Sequence, residues 1–267
     1  MEILIIYDLP RYKKNKEFAR LLSEKCLKYG LLPRLVFVED FPLKGSLPKY
    51  AVMRAVSFKL TAFLEERGVR VFNNSRVSGV CNDKYETYRF LESRNISVLP
   101  YRLITRTDAP NIELTEPHVF KSRCGHGGNE VFWVETAADI ASCFSKIRGD
   151  TAIIQKPVSD IGKDLRTYII GGKPVCSILR ESASDFRSNY SLGGSASPRA
   201  LTNTERREID KITALFDFDF VGIDLIYDGG KPIFNEIEDV AGCRTVYAST
   251  DVDPADLFVR YIASVVK

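Results

Sequence analysis

Three carboxylates in the last quarter of the chain carry the most specific chemistry. The segment Phe220-Val-Gly-Ile-Asp224-Leu-Ile-Tyr-Asp-Gly-Gly-Lys-Pro-Ile-Phe-Asn-Glu236-Ile-Glu238-Asp239 reads as two strands around a glycine-rich turn, hence a hairpin. Residues two apart in a strand project to one face, so Glu236 and Glu238 must share one. If the loop is the three residues Gly229 to Lys231, Asp224 falls opposite Glu236 and all three carboxylates meet. Asp224 lies between Ile223 and Leu225, where an unpaired charge would be costly to bury. Hard oxygen ligands clustered this way suit Mg²⁺ or Mn²⁺, which keep positions open for phosphate oxygens. The solvent face of an edge hairpin would show the same spacing. Asn235, Asp228 and Asp239 read as turn or opposite-face residues.

Two further segments supply groups suited to phosphate. In Val119-Phe-Lys121-Ser-Arg-Cys-Gly-His-Gly-Gly-Asn-Glu-Val131 a strand ends in Lys121 and three glycines follow within four residues. Glycines let backbone N–H groups approach phosphate oxygens closely, and the lysine adds a point charge. No G-K-[S/T] follows, so this is not a Walker loop, and a flexible surface hairpin fits equally well. In Ile178-Leu-Arg180-Glu-Ser-Ala-Ser-Asp-Phe-Arg187-Ser188-Asn189-Tyr-Ser-Leu-Gly193-Gly194 a strand ends in Arg180. The polar loop after it offers a second arginine, a hydroxyl and an amide, which could hold phosphates and the charge that develops in transfer. A surface loop is the competing account.

In this order the segments resemble the ATP-grasp superfamily, and within it the RimK-like carboxylate–amine ligases. The resemblance spans roughly residues 73 to 245. It is densest at Ile153-Ile-Gln-Lys-Pro-Val158, Gly162-Lys-Asp-Leu-Arg-Thr-Tyr168, Asp185-Phe-Arg-Ser-Asn189 with Gly193-Gly194, and Gly222-Ile-Asp-Leu225. It implies that Lys84 and Lys121 contact ATP phosphates and that Gln155, Lys156, Pro157 and Val158 line the adenine at a hinge. It also implies that Asp164 is the nucleotide-contacting acid with Arg166 beside it. Arg187, Ser188 and Asn189 would touch ATP or the phosphoryl group, and Arg180 would face an acyl phosphate.

Two positions depart from the family pattern. Glu238 stands where the family usually has Asn, adding a negative charge that should tighten metal binding or shift the Mg/Mn preference. Lys156-Pro157 follows Gln155 where an acid is usual, so only backbone contacts are expected to persist there. The implied reaction activates a carboxylate with ATP and two metal ions, then passes it to an amine; the Gly-rich loop at 125 to 128 closes over the phosphates. A small amino acid or peptide is the default substrate, and Arg244 is a candidate carboxylate clamp, a plain surface arginine being the alternative. A kinase on the same fold and a non-catalytic ATP-binding module are the other readings.

The elements that must position these residues divide in two. Ile3 to Tyr7, Leu35 to Val38 and Val69 to Phe72 read as strands, with helices at Glu17 to Tyr29 and Val52 to Arg67. This β-α-β-α-β order argues for a small parallel sheet with crossover helices. Asn82-Asp83 can cap a helix from Lys84 to Ser93. From residue 117 short strands follow one another closely: 119 to 122, 131 to 134, 152 to 155, 167 to 170, 175 to 179, 221 to 227 and 232 to 238. Helices at 137 to 147, 203 to 216 and 253 to 266 cover them. The fold class is therefore α/β and α+β: a parallel α/β N-terminal domain at 1–78, then an ATP-grasp domain at 79–267 with 115–157 as a small lid, two α+β subdomains gripping ATP.

Composition sets the outer bounds. With 267 residues, 45% hydrophobic and 27% charged, the chain has room for such a core. A net charge of +3, with the Arg11 to Lys16 tract read as a solvated loop or helix start, gives no argument for nucleic acid. There is no basic leader and no apolar run of bilayer length, so a cytoplasmic protein without membrane partners is expected. Six scattered cysteines and two histidines argue for free thiols rather than zinc, with Cys124 and Cys243 as packing residues. A homo-oligomer remains open.

Overall fold

The structure is a computed structural model that describes residues 1–188 and 194–266. Its fold is a mixed α/β arrangement with one parallel and two antiparallel sheets. The first is entirely parallel: β1 (Glu2–Tyr7), β2 (Leu32–Phe37), β3 (Tyr50–Met53) and β4 (Arg70–Phe72), in the order β2-β1-β3-β4. Crossovers run through α1 (Leu9–Lys28) and α2 (Phe58–Glu65). One expectation is corrected here. The apolar run at 50–53 is a strand, not the start of a helix; Ser57 caps α2 only beyond it. The basic tract forms the helix start, where Asp8 accepts from the Arg11 N–H at 2.8 Å, and a kink at Asn15 joins these first turns to the helix expected from Glu17.

Helices α3 (Ser75–Cys81) and α4 (Lys84–Glu92, capped by Asp83) lead into the second sheet. That sheet has the order β5-β8-β6-β7, from β5 (Tyr101–Thr105), β6 (His118–Ser122), β7 (Val131–Val134) and β8 (Thr151–Gln155), with α5 (Ala137–Lys146) against it. The segment 115–157 holds three of these strands; β5 precedes it and pairs with β8. The third sheet runs β11-β10-β9-β12-β13: β9 (Lys163–Ile170), β10 (Lys173–Glu181), β11 (Ser195–Pro198), β12 (Phe220–Asp228) and β13 (Lys231–Glu238). It is antiparallel throughout. Helices α6 (Asn203–Thr213), α7 (Arg244–Ser249) and α8 (Pro254–Val265) complete the fold.

One face of the third sheet is apolar and packs Ile169, Ile223, Leu225 and Ile237 with Ile209 and Phe216. The other carries the charged residues and faces the second sheet and the N-terminal sheet. Among the described residues no helix is long and apolar enough to cross a membrane.

Candidate active site

Antiparallel register decides which charges meet. Arg180 on β10 lies opposite Asp164 on β9, Arg166 on β9 lies opposite Asp224 on β12, and Asp224 lies opposite Glu236 on β13. The last pairing arises differently from the expectation. The turn is the two residues Gly229-Gly230, with Asp228 paired to Lys231, and an irregularity between Asp224 and Leu225 absorbs Asn235 as an extra residue. A bulge of this kind re-aims side chains, and here both Asn235 and Glu236 line the cleft.

The charges form a buried lattice. Arg166 donates from Nε and Nη2 to the two oxygens of Asp224 at 2.7 and 2.6 Å, and from Nη1 to Glu238 at 2.6 Å. Arg180 donates from Nε to Asp164 at 2.6 Å and from Nη2 to Asp224 at 2.7 Å. Burial works against ionising Asp224, but the guanidiniums of Arg166 and Arg180 outweigh it and hold its carboxyl at about 2. At Asp164 burial wins over Arg180 and the carboxyl is pushed up, and Glu238 is likewise raised by burial against Arg166.

Above this lattice stand the two lysines. Lys84 donates to the Gly125 carbonyl at 2.5 Å and to Glu236 at 3.0 Å; Lys121 donates to Asn235 Oδ1 at 2.8 Å. Burial, then repulsion from Lys84, lowers the Lys121 ammonium to about 8. Lys84 offsets the burial of Glu236 and holds its carboxyl down. His126 is pushed by burial to about 4, so its imidazole is neutral in the glycine-rich loop.

The cleft holds about 890 Å³ of empty space, counting the part open to solvent. The expected Gln155, Lys156, Pro157, Val158, Asp164, Arg180, Arg187, Ser188 and Asp224 line it together with both lysines. Lys156 is itself exposed and pairs with Glu116. Arg187 is held by Asp185 at 2.7 Å and donates to the Gly128 carbonyl at 3.1 Å, so it ties its own loop to the glycine-rich loop. Asn189 lies outside the described residues. Arg166 and Glu238 do not line the cleft, being turned toward each other behind it, and Arg244 is exposed at the first position of α7, away from the lining.

These groups fit a nucleotide. Gln155 Oε1 is buried without a hydrogen-bond partner, and two neighbouring ammonium groups share one anion, Glu236. The fit to a metal ion is one of donor type. Among the described residues no three ligands are gathered into a cage, because Asp224 and Glu238 are drawn to arginine and Glu236 to Lys84.

Sequence reading misassigns Asn235 and Cys124 and passes over Arg54. Asn235 serves Lys121 rather than a turn, and no spacing rule reveals a bulge in advance. Arg54, just past β3, is 4% exposed and donates to the Ala241 carbonyl at 2.7 Å; its burial comes from the packing of the N-terminal sheet, which no motif marks. Cys124 is exposed rather than packed, whereas Cys243 is buried.

The family model of the RimK-like ATP-grasp domain matches residues 81–262, more than half of the chain. The chain belongs to the RimK-like ATP-grasp family. Its class of reaction is ATP-dependent ligation of a carboxylate to an amine, and members of the family use ATP with magnesium. A relative named glutamate–LysW ligase ArgX, from Sulfolobus acidocaldarius, is 25% identical over 98% of this chain and 98% of its own. A probable alpha-L-glutamate ligase of Maridesulfovibrio salexigens is 28% identical over 74% of this chain and 68% of its own. The crystal structure of D-cycloserine synthetase DcsG shares the fold across all of both chains, with a TM-score of 0.77 at 16% identity.

Proposed function

We propose that this ligase converts one substrate carboxylate to an acyl phosphate and joins it to the amine of an amino acid, glutamate being the first to test. The observation that carries the phosphate half is the pair Lys84 and Lys121, buried together over one carboxylate. A phosphate group supplies the negative charge that this pair lacks. The named relatives support glutamate, since both are described as glutamate ligases.

In this reading Lys84 and Lys121 hold phosphate oxygens, and Gln155 offers its free Oε1 to the adenine amino group beside Pro157, Val158 and the Lys156 backbone. Arg180, Arg187, Ser188 and Asn189 steady the transferring group. Asp164 lines the cleft, where it faces the nucleotide and orients Arg180, while Arg166 acts one layer back and orients Asp224. We assign two ions, Mg²⁺ or Mn²⁺, to Asp224 and Glu236 with Glu238 behind them; a carboxylate oxygen bonded to arginine keeps a lone pair for a ligand bond. Bound there, the metal would supply positive charge against the phosphate oxygens. The division into a domain at 1–78, one at 79–267 and a lid at 115–157 belongs to the same reading.

The bonds balance in two steps. A carboxylate oxygen bonds the γ-phosphorus as the bond to the β–γ bridging oxygen breaks and ADP leaves. The amine nitrogen then bonds the acyl carbon, phosphate leaves with the C–O electron pair, and the nitrogen gives up a proton. The test is incubation with Mg-ATP and pooled amino acids, following phosphate release and products by mass spectrometry. ADP release that needs both a carboxylate and an amine is the expected result. A stable phosphorylated product would point to a kinase, and failure to bind ATP at millimolar concentration would end the reading. Glu236→Ala should abolish turnover in the same assay; wild-type rates would mean the metal hairpin is wrongly assigned.

A further inference from the structure

A second pocket lies where β7, α5 and the loop after β10 meet, outside the nucleotide cleft but sharing a wall with it. It holds about 480 Å³ of empty space, counting the part open to solvent. Helix α5 turns one face to it, since Asp139, Ser142, Cys143 and Lys146 fall three and four apart. The edge strand β7 adds Phe132 and Trp133, and the loop adds Phe186. Val131, Phe186 and Arg187 line both this pocket and the cleft.

Its walls are aromatic and carry one uncommitted charge. Trp133 is an exposed large apolar residue, and its ring centre stands 5.6 Å from that of Phe186. Lys146 holds its ammonium 5.6 Å from the ring centre of Phe132 and makes no ion pair among the described residues. The other charges are taken. Asp139 Oδ2 accepts the Glu135 and Thr136 N–H groups at 3.0 and 2.9 Å, and the Arg187 fork is spent on Asp185 and two carbonyls. Three rings around one cavity with a free ammonium at the rim complement a flat apolar body bearing one negative charge.

We propose that this pocket is an effector site for a small aromatic carboxylate, its ring against Phe132, Trp133 and Phe186 and its charge on Lys146, and that filling it strengthens nucleotide binding. The coupling comes from the shared wall. Phe186 precedes Arg187, whose Nη1 donates to the Gly128 carbonyl at 3.1 Å and to the Val131 carbonyl at 3.4 Å. A ring packed on both Phe186 and Trp133 ties the loop to β7 and keeps Arg187 on the glycine-rich loop. Nucleotide then meets a loop already ordered, so less conformational entropy is lost when it binds. Linkage requires the reverse as well: nucleotide tightens the acid by the same factor.

The test titrates the full chain with benzoate, phenylacetate and 1-naphthoate, with and without Mg²⁺ and a non-hydrolysable ATP analogue, by calorimetry and by the emission of Trp133. At least one acid should bind at about millimolar concentration or below and change that emission. Its amide should bind about three- to tenfold more weakly, the modest loss expected for a charge at a solvated rim. Lys146→Met should weaken the acid to the same degree and leave the analogue's own affinity unchanged. Ser142→Phe, which plants a ring in the pocket from α5, should abolish the acid's binding. The analogue should tighten the acid about fivefold, and the acid the analogue equally. Unchanged affinity in Lys146→Met and Ser142→Phe would place the acid elsewhere, and displacement by the analogue would place it in the nucleotide cleft. An acid without effect on the analogue would be no effector. Any of these results, or failure of all three acids to bind, overturns the proposal. Failure of the analogue itself to bind would instead sink the ligase reading, and the acid titrations alone would then decide the site.

Discussion

Arg166 bonds Asp224 and Glu238 at once, so its loss would leave two buried carboxylates facing each other. Arg166→Met should cost about 3–5 kcal/mol in urea unfolding followed by circular dichroism. Glu238→Asn should cost only about 1 kcal/mol, because Arg166 keeps Asp224 and the amide oxygen still accepts. Equal costs for the two would mean that the lattice does not hang on Arg166. We expect Glu238→Asn to stay active and to change the Mg/Mn preference. Lys121 behaves in the opposite sense, since its lowered pKa of about 8 makes its charge a burden to the fold. An unfolded lysine titrates at about 10.4, so between about pH 8 and about pH 10 the unfolded chain holds more protons and stability rises with pH. Phosphate would raise the Lys121 pKa again, so nucleotide affinity should be greatest below about pH 8 and fall above it. Affinity that is flat from about pH 7 to about pH 9 would remove Lys121 from the phosphate site.

Among the elements, the loop after β10 is held to the turn that leads into β9. Gly162 donates to the Phe186 carbonyl at 2.9 Å and accepts from the Ser182 N–H at 2.8 Å. Its φ is +70°, and a Cβ there would stand 2.5 Å from the Ser182 oxygen and 2.9 Å from that of Asp185. Gly162→Ala must therefore shift the loop that carries Arg187, whose bond to Gly128 steadies the glycine-rich loop. We expect a folded protein with a raised KM for ATP. Trp133, the one tryptophan in the chain, has its ring centre 5.6 Å from that of Phe186, so its emission should report the shift. Unchanged emission and KM would mean that the loop tolerates the methyl. At this scale much was legible beforehand. The short apolar run Val131 to Val134 reads as β7 at its true bounds, and the β12–β13 hairpin is readable from its glycines. The strand β3 was not, because Ala51-Val-Met53 runs on through Ala55 and Val56 without a turn signal. Nor was the pairing of Arg180 with Asp164, which depends on how the Gly171-Gly172 turn sets the β9–β10 register.

Across the whole molecule the N-terminal sheet shares its core with the rest of the chain. Ile3, Ile5, Tyr7, Val52 and Phe72 share one core with Tyr168, Phe220, Phe258 and Ile262. Asn73 accepts the Asp219 and Phe220 N–H groups at 2.9 Å and donates to the Phe220 and Asp239 carbonyls at 2.8 and 3.0 Å. Cutting the chain to 79–267 would expose that core, and we expect the fragment to show no cooperative melting transition, whereas the full chain should melt in one. A fragment that melts cooperatively would show that the ATP-grasp portion stands alone.

The extra residue in β13 has a bearing on how this hairpin can change over descent. Removing Asn235 would restore an unbroken ladder and still leave Glu236 opposite Asp224, since Leu225 already pairs with Phe234. The acids would be spared, and the cost would fall on Lys121, which would lose the amide it donates to, and on buried Tyr88, whose hydroxyl donates to the Asn235 carbonyl at 3.0 Å. A lineage that drops this residue must therefore offer its buried lysine another acceptor. Among single-residue deletions in β13, the one at Asn235 should therefore keep the acids paired and show a nucleotide-binding defect with only a modest loss of stability.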